Sequence, residues 1–221
     1  GIMLVIIAFN FNYLVQGYND NPWTKVGYSS DYAMTVQYQL ADAIKNQTDV
    51  NDVFIITHEE VGFALNGLTG RKVMYLRRTH SSPFVDINKR IADGAIILYG
   101  NNDTLRNDLI EKYHVKYFYF DPYSTQNAQD CTNRWNSFND PQYYEYTYAC
   151  LRTEPKYEKY LNENGISTVK VNVRLDVASN TAPRFDMIAV KPNNIRMNTS
   201  PLYEFTLQNV TYFGIYEVKT S

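Results

Sequence analysis

Residues Val53 to Leu76 read VFIITHEEVGFALNGLTGRKVMYL, and this stretch decides the fold. An uninterrupted apolar run such as Val53 to Thr57 is typical of a strand that is buried on both faces, as the strands of parallel sheets are. A short helix is predicted from Glu59 to Asn66, followed by a turn from Gly67 to Gly70 and a second strand from Lys72 to Leu76. The stretch therefore predicts a strand, helix, strand unit of an α/β protein.

Further elements are predicted on both sides of this unit. Apolar residues at helical spacing indicate an upstream helix from Ser30 to Asn46. The downstream elements are a helix capped by Asp86 and ended by Gly100, a helix capped by Asn102 or Asp103, and a third strand from Val115 to Phe120. This order predicts a mostly parallel sheet flanked by helices, the doubly wound α/β class.

The pattern changes to strands near the C-terminus. One more short helix is predicted from Lys156 to Asn164, and β structure dominates from about residue 166. The predicted strands are Ser167 to Val173, Phe185 to Val190, Tyr203 to Leu207 and Tyr212 to Val218. They can extend the sheet antiparallel at one edge or form a separate β layer. With no internal repeat or linker, residues 17–221 are predicted to form one domain.

Length and charge narrow the function classes. With 221 residues the chain is long enough for a hydrophobic core that needs no metal or disulfide. Its 21 basic and 23 acidic residues give a net charge of -2 without a basic field, so nucleic acid is not an expected partner. Gly67 and Gly70 lack the spacing of a phosphate loop or a dinucleotide-binding fingerprint, and no cofactor is expected.

The segment from Gly1 to Gln16 contains no charged side chain. Only Ile2 to Phe9 is continuously apolar, whereas a complete transmembrane helix needs about 20 predominantly apolar residues. A secretory signal would bring a basic region and a small-residue cleavage site, and the segment has neither. Two interpretations stay open: the end of a membrane segment, or a buried first strand rich in Ile, Val and Phe.

Three stretches of the chain resemble a known family. They are DVFIITHEEVGFALNGLTGRKVMYLRRTHSSPFVDINKR from Asp52 to Arg90, DGAIILYGNNDTLRNDLIEKYHVKYFYFD from Asp93 to Asp121, and YFGIYEV from Tyr212 to Val218. Together they cover about a third of the chain. They are similar to the extracytoplasmic C-terminal domain of archaeal-type polytopic membrane glycosyltransferases of the GT-C superfamily.

The resemblance implies a domain at the extracytoplasmic face of the cell membrane, joined to a membrane-embedded remainder of the same polypeptide. In that family the catalytic carboxylate lies on an outer loop between early membrane helices, so no catalytic residue is expected in these 221 residues. The implied role is to assist binding of a lipid-linked sugar donor or a glycan acceptor. A second hypothesis is a free-standing cell-surface or envelope binding protein with an α/β core. A third is an independent enzyme that uses a pocket at the strand ends.

Polar side chains follow each of the three predicted parallel strands. Because parallel strands share one carboxyl edge, where ligands of open α/β sheets bind, these residues are expected on one rim. The candidate ligand-binding residues are His58, Glu59, Glu60, Arg77, Arg78, His80, Asp121 and Tyr123. Arginines suit a phosphate and carboxylates suit hydroxyl groups, which favours a pocket for an anion or a sugar. The alternative is a set of solvated loop residues joined by surface ion pairs.

A metal site at the same rim is chemically possible. His58, Glu60, His80 and Asp121 offer imidazole and carboxylate ligands. The sequence HEE, however, lacks the second helical histidine of H-E-x-x-H. No metal is therefore expected.

The two cysteines, Cys131 and Cys150, bracket a polar and aromatic stretch without a helical period. In an oxidising compartment such a pair favours a disulfide, and closing a loop of about 20 residues would stabilise the fold by roughly 3 kcal/mol. The alternative is two free buried thiols. The pattern predicts a disulfide that tethers this stretch to the domain.

Reduction of the denatured chain is expected to raise its mass by about two hydrogen masses, because one Cys131–Cys150 bridge takes up two hydrogens when it opens. Mass spectrometry with and without reductant measures this change. Two thiols that react with an alkylating agent before any reduction would contradict the disulfide and the oxidising compartment with it.

Overall fold

The structure, a computed structural model, describes residues 31–57, 59–76, 81–120, 149–152, 155–174, 184–190, 194–207 and 210–220. The chain divides into two units, Gly1–Asp42 and Ala43–Ser221. Of the first unit, the described residues comprise only the start of a helix. The segment from Gly1 to Gln16 and its two interpretations lie outside the described residues.

The described residues form helices and strands that alternate through most of the chain. In order they are α1 (Asp31–Gln47), β1 (Val53–Ile56), α2 (Glu59–Thr69), β2 (Lys72–Val73), α3 (Ile87–Tyr99), α4 (Asp103–Tyr113), β3 (Val115–Phe120), β4 (Ala149–Arg152), α5 (Pro155–Glu163), β5 (Thr168–Arg174), β6 (Arg184–Val190), β7 (Thr199–Leu207) and β8 (Val210–Val218). No helix in the described part of the chain is both long enough and apolar enough to cross a membrane.

A mixed sheet of five strands, in the order β2-β1-β3-β8-β7, forms the centre of the second unit. β1 pairs in parallel with both β2 and β3, whereas β8 is antiparallel to β3 and to β7. The α/β class, with parallel strands and a C-terminal antiparallel extension, is thereby confirmed. β4, β6 and β5 form a second, antiparallel sheet, so both arrangements predicted for the later strands occur.

Local sequence signals place the helix ends as predicted. The Asp86 carboxylate accepts a hydrogen bond from the Lys89 backbone N–H at 3.0 Å and caps α3, which ends at Gly100. The Asn102 side chain caps α4 in the same way. His114, at the end of α4, adopts the left-handed conformation with φ 53°, which lets its backbone N–H donate to Glu111.

Two boundaries differ from the sequence prediction. The predicted turn from Gly67 to Gly70 belongs largely to α2, which continues to Thr69 and ends where Gly70 takes a φ of 71°. The strand predicted from Lys72 to Leu76 pairs over only two residues. Beyond that pairing the Tyr75 hydroxyl donates to the Ile56 carbonyl at 2.6 Å, so a side chain takes the place of the strand ladder.

Strand β4 was not predicted, since the sequence places Cys150 at the end of a loop and the next element at Lys156. Ala149–Arg152 is only four residues long and carries no alternating pattern. Its register with β6 sets Cys150 opposite Ala189 and Leu151 opposite Ile188. Pairing with a distant strand, and not local propensity, therefore makes this segment a strand.

Helix α2 packs directly against β1. An added Cβ at Gly62 would overlap Ile56 Cδ1 and lie 3.2 Å from the Tyr75 carbonyl oxygen. On the same face of the sheet, the Phe54 ring lies 5.3 Å from the Tyr117 ring. This close approach requires glycine at position 62 for lack of space.

Arg71 joins the ends of two helices. Its guanidinium donates to the Thr48 carbonyl oxygen at 2.8 Å and the Lys45 carbonyl oxygen at 3.2 Å, near the end of α1. It also donates to the Thr69 carbonyl oxygen at 3.2 Å, at the end of α2. A cation is favoured at a helix C-terminus, where carbonyl groups lack partners within the helix. Arg71 thus has a structural role.

Two glycines of α2 form a matched pair for mutation. Gly67→Ala is expected to stabilise the protein by about 0.5–1 kcal/mol, because alanine is the better helix former and no atom lies within 4 Å of the added Cβ. Gly62→Ala is expected to destabilise it by about 1–2 kcal/mol, because the free-energy cost of the clash with the fully buried Ile56 exceeds the gain in helix propensity. Chemical denaturation of both variants measures the difference. Equal stabilisation by both would contradict the tight packing of α2 on β1.

Candidate functional site

The connections between the parallel strands run in two directions along the sheet. From β1 the chain passes through α2 to β2 on one side, and from β2 it passes through α3 and α4 to β3 on the other side. Right-handed crossovers in opposite directions place their helices on opposite faces of the sheet. The connections that leave the carboxyl ends of β1 and β2 therefore follow opposite faces of the sheet, and open α/β sheets bind ligands outside such strand ends.

The parallel pairing brings the segments after β1, β2 and β3 to one edge of the sheet, called the carboxyl edge below. Glu59 and Glu60 begin α2 at this edge. The other predicted ligand-binding residues lie outside the described residues; they are His58, Arg77, Arg78, His80, Asp121 and Tyr123. Their common location and the convergence of their side chains stay predictions.

Glu59 is a buried carboxylate in the first turn of α2. Only 6% of its surface is exposed, and the side chain is engaged within the fold. A negative charge is favoured at a helix N-terminus, where backbone N–H groups lack helical partners. Glu60 follows in the same turn. The buried Glu59 carboxylate disfavours an anion close to this end of α2.

Thr57, directly after β1, is a polar residue that the sequence pattern predicts as the last residue of the strand. It is 4% exposed, and within the described part of the chain its Oγ1 atom has no hydrogen-bond partner. Most buried polar side chains are hydrogen-bonded, so this hydroxyl is an exception at the carboxyl end of β1. A threonine that ends an apolar strand at a predicted ligand edge is the sequence signal that could have identified it.

The loop between β2 and α3 presents an aromatic side chain at the same edge. The backbone N–H of Val85 donates to the Ser82 carbonyl oxygen at 3.0 Å, which closes a turn with Pro83 and Phe84 at its tip. Phe84 is 96% exposed. Single exposed apolar residues are common, but a ring held out by a hydrogen-bonded turn is placed to contact a partner or a membrane interface.

A cluster of charged and tyrosine side chains lies between α3, α4 and α5. Its centre is the carboxylate of Asp93, which is fully buried. The hydroxyls of Tyr113 and Tyr160 donate to it at 2.6 and 2.8 Å. Lys89 and Lys112 provide the positive charge, with the Lys112 Nζ atom 3.4 Å from Oδ2. Each carboxylate oxygen thus has two donors.

This cluster, called the Asp93 cluster below, stabilises the packing of α3, α4 and α5. Burial raises the pKa of Tyr113 and of Tyr160, and the hydrogen bond to Asp93 raises each further. Both hydroxyls therefore stay protonated donors at neutral pH. A third tyrosine of the region, Tyr157, donates to Asp86 at 2.6 Å and ties α5 to the cap of α3. With its oxygens occupied, Asp93 has little capacity left for a ligand.

Metal and disulfide chemistry depend mainly on residues outside the described ranges. Where side chains are described, no three His, Cys, Asp or Glu residues are grouped to hold a metal ion. His58, His80 and Asp121 of the possible metal set lie outside those ranges, as does Cys131. The disulfide therefore stays a prediction.

The chain matches no model of a known protein family, and no curated protein matches it.

Tyr160→Phe is expected to lower the unfolding free energy at pH 7 by roughly 1–2 kcal/mol, because a hydrogen bond to a charged group is lost. The raised pKa of Tyr160 means that its contribution is complete below pH 10, the ordinary tyrosine value, and is lost as the pH rises through the higher folded value. Above pH 10 the variant should therefore lose stability less steeply than the parent.

Guanidinium denaturation between pH 7 and pH 11 measures this slope. Tyr38→Phe is the matched control, since Tyr38 is an exposed tyrosine on α1. If the unfolding free energies of the parent and Tyr160→Phe changed equally with pH, the role of Tyr160 in the Asp93 cluster would be contradicted.

Proposed function

We propose that this chain is a non-catalytic, extracytoplasmic domain of a membrane glycosyltransferase that uses a lipid-linked sugar donor. Its carboxyl edge would help bind the donor or the acceptor. The observation that supports this proposal most is the parallel pairing of β1 with β2 and β3, because it sets the carboxyl ends of three strands at one edge of the sheet, where open α/β sheets bind ligands.

The residues of this edge suit a ligand with both hydroxyl and phosphate groups. Glu59 and Glu60 at the start of α2 are acceptors for hydroxyls. Arg77 and Arg78, in the segment after β2, are donors that bind phosphate in a bidentate manner. A sugar attached to a lipid through phosphate carries both kinds of group. At this one edge, the glutamates would contact the sugar hydroxyls and the arginines would contact the phosphate.

The proposed partner in the intact protein is the membrane-embedded remainder of the polypeptide. Phe84 supports contact at the carboxyl edge, because the loop that carries it lies there and its ring is almost fully exposed. An aromatic ring can pack against apolar protein or lie at a membrane interface. The edge that binds the ligand would then face the membrane and the catalytic region.

A free-standing cell-surface or envelope binding protein is the second candidate. It is favoured by the second unit, Ala43–Ser221, which has a hydrophobic core of its own. The same carboxyl edge would bind the ligand of such a protein. The two candidates differ in what the gene encodes before Gly1: several hydrophobic segments for the transferase, and a start codon or a cleavable signal for the binding protein.

Replacement of both Arg77 and Arg78 by alanine in the intact protein is expected to lower kcat/KM for sugar transfer at least about tenfold. One charge-assisted hydrogen bond of about 1.5 kcal/mol accounts for a factor of that size. Stability should change by no more than about 0.5 kcal/mol, as is usual for surface substitutions. Transfer assays and thermal unfolding measure the two effects.

The matched control is Lys159→Ala with Lys170→Ala, which removes the same charge. Lys159 lies on α5 and Lys170 on β5, and both side chains are mainly exposed. Unaltered transfer in a folded Arg77/Arg78 double variant would indicate that these arginines are solvated loop residues without a role in binding.

A further inference from the structure

The chain contains four copies of Asn-x-Ser/Thr, the acceptor pattern for asparagine-linked glycosylation. They begin at Asn46, Asn102, Asn198 and Asn209. Asn209 lies outside the described residues, and the other three asparagines are exposed. Such a short pattern often arises by chance, so the local structure has to decide which copy the folded chain can offer to an enzyme.

The first copy, from Asn46 to Thr48, is fixed at the end of α1. Asn46 lies in the last turn of this helix. The Thr48 hydroxyl donates to the Ile44 carbonyl oxygen at 2.6 Å and accepts a hydrogen bond from Arg71 Nε at 3.1 Å. The hydroxyl is part of the pattern that a glycosylating enzyme recognises, so these contacts close the first copy to the enzyme in the folded chain.

The second copy, from Asn102 to Thr104, is fixed at the start of α4. The Asn102 side-chain oxygen accepts from the Leu105 backbone N–H at 3.0 Å. The Asn102 carbonyl oxygen accepts from the Arg106 backbone N–H, also at 3.0 Å. An enzyme would therefore have to open the first turn of α4 before it could bind this segment in another conformation.

The third copy, from Asn198 to Ser200, has an extended backbone. Asn198 directly precedes β7, which begins with Thr199 and Ser200. β7 is the last strand of the five-stranded sheet, so among the described strands one of its two edges has no neighbour. An extended segment with an open edge can bind in the cleft of an enzyme as an added strand, without prior unfolding.

The Asn198 side chain is available for modification. Its backbone has a defined position, because the carbonyl oxygen accepts from the Lys219 backbone N–H at 2.9 Å and the neighbouring Met197 is buried. Within the described part of the chain, however, the exposed amide side chain of Asn198 takes part in no hydrogen bond. A glycan on its Nδ2 atom would extend into solvent and break no described contact.

We infer that Asn198 is a site of asparagine-linked glycosylation. The inference rests on the extracytoplasmic location in the proposed function, since this pattern is an acceptor in chains that leave the cytoplasm. In the reaction, the Nδ2 atom of Asn198 forms a bond to the anomeric carbon of a lipid-linked sugar donor. The bond from that carbon to a phosphate oxygen breaks, the lipid phosphate leaves with the electron pair, and the amide nitrogen releases one proton.

The first experiment compares the folded 221-residue chain with short peptides that carry the three described copies. Each sample is incubated with a purified oligosaccharyltransferase and its lipid-linked oligosaccharide, and mass spectrometry of proteolytic fragments measures the glycan at each asparagine. All three peptides should be modified. In the folded chain, Asn198 should be modified at least about tenfold faster than Asn46 or Asn102, because those two need local opening first.

Variants assign the glycan to the third copy. Asn198→Gln removes the acceptor nitrogen and Ser200→Ala removes the hydroxyl of the pattern, so each should lose the glycan. Asn46→Gln is the matched control and should keep it. An unmodified Asn198 in the folded chain, a peptide of the third copy that the enzyme does not accept, or equal rates at all three asparagines would overturn the inference.

A second experiment separates this inference from the proposed function. The intact protein, with an established acceptor peptide inserted after Ser221, is expressed in cells that glycosylate proteins only at the extracytoplasmic face. Glycans are expected on both the inserted peptide and Asn198. A glycan on the inserted peptide alone would overturn the inference and leave the proposed location standing. No glycan on either, in cells that modify a secreted control protein, would contradict both.

Discussion

Strand β1 is buried on both faces, and the arrangement of the second unit depends on this constraint. Phe54, Ile55 and Ile56 expose no surface at all. Successive side chains of a strand point to opposite faces, so each face of β1 must be covered by another element. α2 covers the face of Ile56, where Gly62 permits close approach. Crossovers to opposite sides supply cover for both faces.

The helices α3, α4 and α5, called the helix layer below, contain buried charged side chains that are hydrogen-bonded. Asp93 has donors from three helices, and Arg106, which is also buried, donates to the carbonyl oxygens of Ile97 and Gly100 between α3 and α4. Removing one partner of such a buried group is costly, since the other is left without compensation. These contacts make the helix layer a rigid support for the loops that begin and end at the carboxyl edge.

Against that background Thr57 and Phe84 are exceptions of opposite kinds. Thr57 is a polar group that is buried without a partner, and Phe84 is an apolar ring in water. Both belong to segments at the carboxyl edge, whereas the buried polar side-chain atoms described in the helix layer are paired. Departures from the usual satisfaction rules are expected where binding, and not stability, has determined the residue. This contrast supports a ligand function for the edge.

Much of the second unit could be predicted because its signals are local. Asp86 and Asn102 cap the starts of α3 and α4, and Gly100 ends α3, through atoms a few residues away. An apolar run such as β1 can be recognised from the sequence alone. The predicted boundaries of elements were wrong where a contact with a residue distant in the sequence determines them. β4 is a strand only because β6 pairs with it, and β2 stops after two residues while the Tyr75 hydroxyl bonds β1 in place of a ladder.

The sequence by itself determined the apolar strands, the capped helices and the order that makes the sheet parallel. It also placed polar residues after each parallel strand. Tertiary structure alone decided that Asp93 would be a structural centre, because its partners Lys112, Tyr113 and Tyr160 lie 19, 20 and 67 residues away. It alone decided that Thr57 would be buried without a partner. Burial and hydrogen-bond satisfaction are properties of all the neighbours in space, and no local pattern contains them.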